Sequence, residues 1–153
     1  MLSYNAKLYF LGMEFDNFYH LGRHTEIQVS EILRLFGWET VLSPGSRGPA
    51  DIHATKEDQT WCVQVKYRSD GLVNLEKFEE STLLRYSKKC SCTPILASVT
   101  RYPGGLLLNA SNFRDQKHSN VIRDKQGNIF GIEIDKFTAL FLFNLITCKK
   151  IHP

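Results

Sequence analysis

Hydrophobic and polar residues alternate through the middle of the chain, which is the pattern of β-strands. From residue 61 to residue 68, one face carries Trp61, Val63, Val65 and Tyr67, and the other carries Cys62, Gln64, Lys66 and Arg68. Residues 51–56 alternate in the same way. If Asp58 and Gln59 form a two-residue turn, the two strands make a hairpin in which Asp51 lies opposite Lys66 and His53 lies opposite Gln64. The polar faces of both strands then coincide.

Three further segments have helical spacing of apolar residues. The first runs from a cap at Thr25 to a stop at Gly37, with Glu26 in its first turn. The second is predicted after residue 74, with its charged residues, including Glu79, largely in solvent. Its apolar side is formed by Leu75, Phe78, Leu83 and Tyr86. Residues 136–148 are apolar nearly all round, so a third helix is predicted there, buried on more than one side.

The order of these elements predicts an α/β fold in which a mixed β-sheet is flanked by helices. Besides the hairpin, strands are expected at residues 38–42, 94–99, 106–109 and 129–134. Residues 1–153 are expected to form a single domain. Within it we expect a loosely packed N-terminal extension at residues 1–13, a β-ribbon at 111–135 and the C-terminal helix at 136–148.

Composition restricts the class of protein without identifying it. With 153 residues, 42% of them hydrophobic, the chain can build one proper core. The net charge of +3 permits nucleic-acid binding but does not by itself indicate it. The four cysteines form no CxxC pair and no secretory signal is recognised, so we expect free thiols in a reducing, cytoplasmic compartment. We expect no membrane partner, because the most hydrophobic run, residues 137–148, is shorter than the about 20 residues that span a bilayer.

The polar face of the predicted hairpin has the residue types that phosphodiester hydrolysis requires. Asp51 can bind a divalent cation, and the side-chain oxygen of Gln64 and the backbone carbonyl of Val65 can add ligands. Lys66 can lower the pKa of the attacking water and pair with the phosphate. An ordinary solvated hairpin would also show a polar face, but Lys66 lies between Val65 and Tyr67 in an otherwise apolar strand. This position favours a catalytic lysine.

The segment Pro49-Ala50-Asp51, followed by a hairpin and Gln64-Val65-Lys66, resembles the PD-(D/E)XK nuclease motif. The resemblance implies a restriction-endonuclease-like core and a requirement for Mg²⁺ or Mn²⁺. It implies catalytic residues at Glu26, Asp51, Gln64 and Lys66, and metal ligands at Asp51, Gln64 and Val65. Most members have Glu or Asp where this chain has Gln64, so weaker metal binding is implied.

Two narrower resemblances lie within that superfamily. The loop Gly45-Ser46-Arg47-Gly48 resembles the glycine-serine loop of archaeal Holliday-junction resolvases. Glutamine at position 64 in so compact a chain is similar to the cyanobacterial intron-encoded homing endonuclease of the superfamily.

A long polar segment at residues 111–128 is a candidate for reading DNA. A two-stranded ribbon fits the major groove, where Arg, Lys, Asn and Gln bond purine edges. The candidate DNA-binding residues are Arg114, Gln116, Lys117, Asn120, Arg123, Lys125 and Gln126, together with Ser46, Arg47 and Arg68 nearer the hairpin. A polar surface loop is an equally weighted alternative, although structureless loops beyond about 12–15 residues are uncommon in compact domains.

These features lead to one expected function and two alternatives. We expect a Mg²⁺-dependent endonuclease that hydrolyses double-stranded DNA as a homo-oligomer, and the resemblance points first to a site-specific homing endonuclease. The homing relative implies a tetramer, whereas a two-fold dimer would also cut both strands. A Holliday-junction resolvase, which recognises branched shape through phosphate contacts, is the first alternative. The second is a DNA-binding module whose nuclease site has decayed at Gln64.

Overall fold

The structure, a computed structural model, describes residues 8–10, 13–15, 18–44, 48–69, 75–101, 121–123, 126–135, 138–151 and 153. The described residues contain two helices, α1 (Phe18–Leu35) and α2 (Lys77–Cys90). The strands are β1 (Leu8–Phe10), β2 (Met13–Phe15), β3 (Glu39–Leu42), β4 (Ile52–Lys56), β5 (Gln59–Arg68), β6 (Thr93–Arg101), β7 (Val121–Arg123), β8 (Ile129–Asp135), β9 (Thr138–Asn144) and β10 (Lys149–Lys150). In the part of the chain that the structure describes, no helix is long and apolar enough to cross a membrane.

Within the described residues, eight strands form one mixed sheet, which confirms the predicted α/β class. The strand order is β3-β4-β5-β6-β9-β8-β7, and β10 pairs with β9. The pair β5 and β6 is parallel and is joined through α2, as a crossover connection requires, whereas the other pairs are antiparallel. Strands β1 and β2 form a separate two-stranded sheet, so the predicted N-terminal extension contains part of a small hairpin.

The alternation predicted for β5 places its side chains on the two faces of the sheet. On one face, Trp61, Val63 and Val65 pack in the main core with Val29 and Leu33 of α1. On the other face, Cys62 packs with Leu83 of α2. Because side chains two apart share a face, Gln64 and Lys66 lie on the side covered by α2.

The hairpin of β4 and β5 differs from the predicted register by two residues. Its turn is Glu57-Asp58, with Lys56 paired to Gln59, and His53 therefore lies opposite Cys62. Glu57 adopts a left-handed backbone with φ 56°, which moves the turn one residue towards the N-terminus. A slip of one residue would exchange the faces, but a slip of two preserves them, so the polar residues still share one side.

Helix α1 begins earlier than predicted. It starts at Phe18, so Glu26 lies in its middle and Thr25 is not a cap. The Thr25 hydroxyl instead donates to the carbonyl of Leu21 at 2.8 Å. Burial of Leu21 in the main core stabilises this additional part of the helix, because most helical stability comes from tertiary packing. The predicted stop at Gly37 agrees with its φ of 93°.

The predicted C-terminal helix at residues 136–148 is wrong. Strand β9 occupies the run, followed by a turn and β10, and β9 lies between β6 and β8 inside the sheet. Its side chains alternate between faces, since Leu140 and Leu142 belong to the main core, whereas Ala139 and Phe141 pack on the other side. A strand buried on both faces is apolar throughout, so hydrophobicity alone does not distinguish it from a buried helix.

The predicted β-ribbon is described in part. Strands β7 and β8 pair on either side of a turn in which Gly127 has φ 88°. Residues 102–120, which include the predicted strand at 106–109, lie outside the described residues. A role of this ribbon in reading DNA stays a prediction.

Candidate active site

Three residues singled out from the sequence line one open pocket. Asp51 lies just before β4, and Gln64 and Lys66 lie on the α2 side of β5. The pocket has a volume of about 320 Å³, and its lining consists of these three residues with Gly48, Pro49, Phe78, Glu79 and Thr82. The pocket is therefore formed by the edge of the hairpin and the first turns of α2.

Asp51 is buried and tightly held at the base of this pocket. The backbone N–H of Val65 donates a 2.8 Å hydrogen bond to Asp51 Oδ2. The main chain of Asp51 is also fixed, because its carbonyl accepts from the Ser43 N–H at 2.9 Å and its N–H donates to the Val63 carbonyl at 2.8 Å. Burial is the largest factor that raises the pKa of Asp51, to about 7 from its ordinary value of 3.8. The charge of Glu26 and a hydrogen bond with it raise that pKa further, whereas the Val65 N–H and Lys66 lower it.

Glu26 reaches the site from the middle of α1. Its side chain is buried, and Arg23 Nη1 donates to Glu26 Oε2 at 3.1 Å. The same Arg23 atom donates to the carbonyl of Ser43 at 3.0 Å, which ties α1 to the loop before Asp51. The helix thus brings a second buried carboxylate into contact with that of Asp51.

Lys66 forms an ion pair that the sequence did not indicate. Its Nζ lies 2.5 Å from Oε2 of Glu79, in the first turn of α2, and each side chain is one-third exposed. Phe78, the preceding residue, was predicted on the apolar side of its helix but is 76% exposed at the pocket. The first turn of α2 therefore faces the pocket and does not pack into the core.

The oxygen donors of this site fit a hard divalent cation. The carboxylates of Asp51 and Glu26, the amide oxygen of Gln64 and the backbone carbonyl of Val65 are the ligand types that Mg²⁺ and Mn²⁺ take. Two buried carboxylates in contact also need positive charge nearby to ionise together. In the described part of the chain, no group of three or more His, Cys, Asp or Glu residues could hold a metal ion, so the amide and the backbone are needed to complete a ligand set.

The predicted DNA-binding residues are only partly described. Arg68 is exposed at the end of β5 and Gln126 is exposed beside the Gly127 turn, while Arg123 lies in β7. The remaining candidates lie outside the described residues, namely Ser46, Arg47, Arg114, Gln116, Lys117, Asn120 and Lys125.

Sequence reasoning missed Arg23 and Glu79 and misplaced His53. The ring of His53 was expected beside Gln64, but its Nε2 lies 2.6 Å from the hydroxyl of Tyr86 on α2. A spacing of three residues on α1 relates Arg23 to Glu26, so that contact had a signal in the sequence. The contact of Glu79 with Lys66 had no such signal, because the two residues are 13 positions apart and their contact depends on how α2 packs on the sheet.

A family model matches most of the chain, and solved structures match part of it. A family model described as archaeal Holliday junction resolvase (Hjc) matches residues 17–142. Among solved structures, Hjc from Archaeoglobus fulgidus, a Holliday junction resolvase from an archaeal hyperthermophile, is similar with 19% identity and a TM-score of 0.46. That match covers 50% of this chain and 62% of the other chain. The search of curated proteins found no match.

Proposed function

The chain belongs to the archaeal Holliday junction resolvase (Hjc) family, and from this membership we propose that it is a nuclease that cuts four-way DNA junctions. The observation that carries the proposal is the pocket shared by Asp51, Gln64 and Lys66, with Glu26 buried against Asp51. Carboxylates, an amide and an ammonium around one open pocket suit hydrolysis of a phosphodiester bond.

We propose Mg²⁺ or Mn²⁺ as the cofactor. Asp51, Glu26 and Gln64 would hold the cation through side-chain oxygens, and Val65 would add its backbone carbonyl. When bound, a divalent cation supplies positive charge to the phosphate and lowers the pKa of the attacking water. Since Gln64 carries no charge where most members of the superfamily have a carboxylate, we expect weak cation binding.

The protein residues have separate tasks in this proposal. The Val65 N–H fixes the orientation of the Asp51 carboxylate, and Arg23 fixes that of Glu26. The ammonium of Lys66 would donate hydrogen bonds to the scissile phosphate and neutralise the negative charge that develops on it.

A junction resolvase is supported better than a homing endonuclease. The family match favours the resolvase, and neither comparison that found a match supports the homing resemblance or the tetramer that it implied. We propose a homodimer, because resolving a junction requires two cuts and a two-fold dimer presents two equivalent sites. We also propose a cytoplasmic location, as expected from a sequence whose four cysteines form no CxxC pair.

Cleavage of synthetic DNA tests the proposal. A four-way junction and a linear duplex of the same sequence are incubated with the protein, with Mg²⁺ or with EDTA, and nicks are mapped on a denaturing gel. We expect paired nicks in the junction with Mg²⁺ only, and none with Asp51→Asn. Cutting of the linear duplex at one defined site would instead support a homing endonuclease. Junction binding without cleavage, under both Mg²⁺ and Mn²⁺, would support a decayed nuclease.

A further inference from the structure

The ion pair between Lys66 and Glu79 is the feature of the pocket that the proposed chemistry does not use. Glu79 lines the pocket beside Asp51, Gln64 and Lys66, and its carboxylate contacts the Lys66 ammonium. Acidic residues are favoured in the first turn of a helix, which explains why α2 carries both Glu79 and Glu80 there. That preference does not explain why Glu79 in particular faces the pocket, because Glu80 does not line it.

Lys66 lies within the influence of two carboxylates at this pocket. Its charge acts on Asp51 and favours the ionised form of that residue, although its contact is with Glu79. A lysine side chain is a compact charge on a flexible stem, so without Glu79 it could turn towards Asp51. An ammonium bound to Asp51 would occupy the oxygen that a cation needs and would repel the cation.

We propose that Glu79 is a positioning residue that holds the Lys66 ammonium away from Asp51 and keeps that carboxylate open to the divalent cation. The inference rests on the proposed function, because it assumes that a cation binds at Asp51. It also gives a reason for the ion pair. Gln64 supplies no negative charge to this site, so sharing the Asp51 carboxylate with a lysine would weaken cation binding further.

Direct coordination of the cation by Glu79 is the alternative role. It would require Glu79 to approach Asp51 and Glu26 closely enough for all three to share an ion. Among the described residues, no three acidic, His or Cys side chains form such a group. The contact of Glu79 that the structure shows is with Lys66.

Cation binding to the DNA-free protein tests this inference separately from cleavage. Mn²⁺ is titrated into the wild type and into the Glu79→Gln, Lys66→Met and double variants, with free Mn²⁺ measured by electron paramagnetic resonance. We expect Glu79→Gln to weaken Mn²⁺ binding about fivefold, the upper range for a partly exposed ion pair. In the Lys66→Met background the same change should alter binding less than about twofold, because the two residues act as one unit. Glu80→Gln is the matched control, with the same charge change on the same helix turn, and should leave binding unchanged.

The possible results separate the two proposals. An equal loss of Mn²⁺ affinity from Glu79→Gln with and without Lys66 would show that Glu79 acts on the cation directly and would overturn the inference. An unchanged affinity in Glu79→Gln, or no Mn²⁺ binding by the wild type, would also overturn it. Suppose that Glu79→Gln weakens Mn²⁺ binding in the wild type but hardly changes it in the Lys66→Met background, and that junctions are not cut. The inference then stands and the resolvase proposal fails.

Discussion

Replacing Asp51 with Asn should stabilise the metal-free protein at alkaline pH while abolishing cleavage. In the folded protein, burial and then the charge of Glu26 raise the pKa of Asp51 to about 7, whereas its ordinary value is 3.8. Asparagine carries no charge, and its amide can still accept from the Val65 N–H and donate to Glu26. The variant therefore keeps the hydrogen bonds and removes the repulsion between two buried carboxylates.

The magnitude follows from the linkage between protonation and folding. Because the folded-state pKa lies above that of the unfolded chain, the stability associated with protonated Asp51 is complete below about pH 3.8, falls as the pH rises, and is lost above about pH 7. At 1.36 kcal/mol for each pKa unit, the whole effect is about 4 kcal/mol. Between pH 5 and pH 8.5, the free energy of unfolding of the variant should gain about 2.5 kcal/mol relative to that of the wild type.

Urea unfolding followed by circular dichroism measures this gain. Wild type and Asp51→Asn are unfolded at pH 5 and pH 8.5 in EDTA, and again with Mg²⁺. Mg²⁺ should stabilise only the wild type, because the variant lacks the central ligand. The difference in the free energy of unfolding between the variant and the wild type should therefore become smaller. Asp58→Asn makes the same substitution at an exposed turn position and is the matched control. If the gap between wild type and Asp51→Asn is the same at both pH values, the Asp51 carboxyl is not held protonated by its surroundings and the reasoning is refuted.

Four other substitutions test the packing and the site. Gly131→Ala should lower the free energy of unfolding by about 1–3 kcal/mol, because its Cβ would lie 2.7 Å from the Phe141 ring. Gly22→Ala in α1, where a Cβ would meet nothing within 4 Å beyond the backbone of its own helix, should raise the free energy of unfolding by up to about 1 kcal/mol. Urea unfolding distinguishes the two, and equal effects would contradict the close packing at residue 131. Gln64→Glu should tighten Mn²⁺ binding in titration, and an unchanged dissociation constant would mean that residue 64 is not a ligand. Lys66→Ala should abolish junction cleavage while gel-shift binding persists, and cleavage at the wild-type rate would remove Lys66 from the mechanism.

Strand periodicity was enough to predict the face on which Gln64 and Lys66 lie. A period of two assigns each residue of β5 to one face whatever the register. The two-residue error in the predicted pairing of the hairpin therefore left the assignment of faces unchanged. The turn itself was not predictable from its composition, because Glu57 adopts a left-handed conformation that glycine or asparagine would usually signal. The sequence pattern thus predicted that the polar side chains share one face, but it did not predict which residues of the two strands lie opposite each other.

Contacts that depend on how separate elements pack against each other could not be predicted from the sequence. The apolar run at residues 138–144 fits a buried helix and an inner strand equally well, and only the presence of neighbours on both sides decides between them. The ion pair of Glu79 with Lys66 likewise depends on the placement of α2 over the sheet. Charged residues on an isolated amphipathic helix are reasonably expected in solvent, which is why Glu79 was assigned there.

The interior position of β9 has a consequence for the order of folding. Strands β7 and β8 precede β9 in the chain but join the sheet only through it, since β9 alone links them to β6 among the described strands. During synthesis, the hairpin, α2 and β6 can associate first, while β7 and β8 wait until residues 138–144 have left the ribosome. We expect a late, slow step in which β9 pairs with β6. These two strands are far apart in the sequence, so their pairing must first close a long loop.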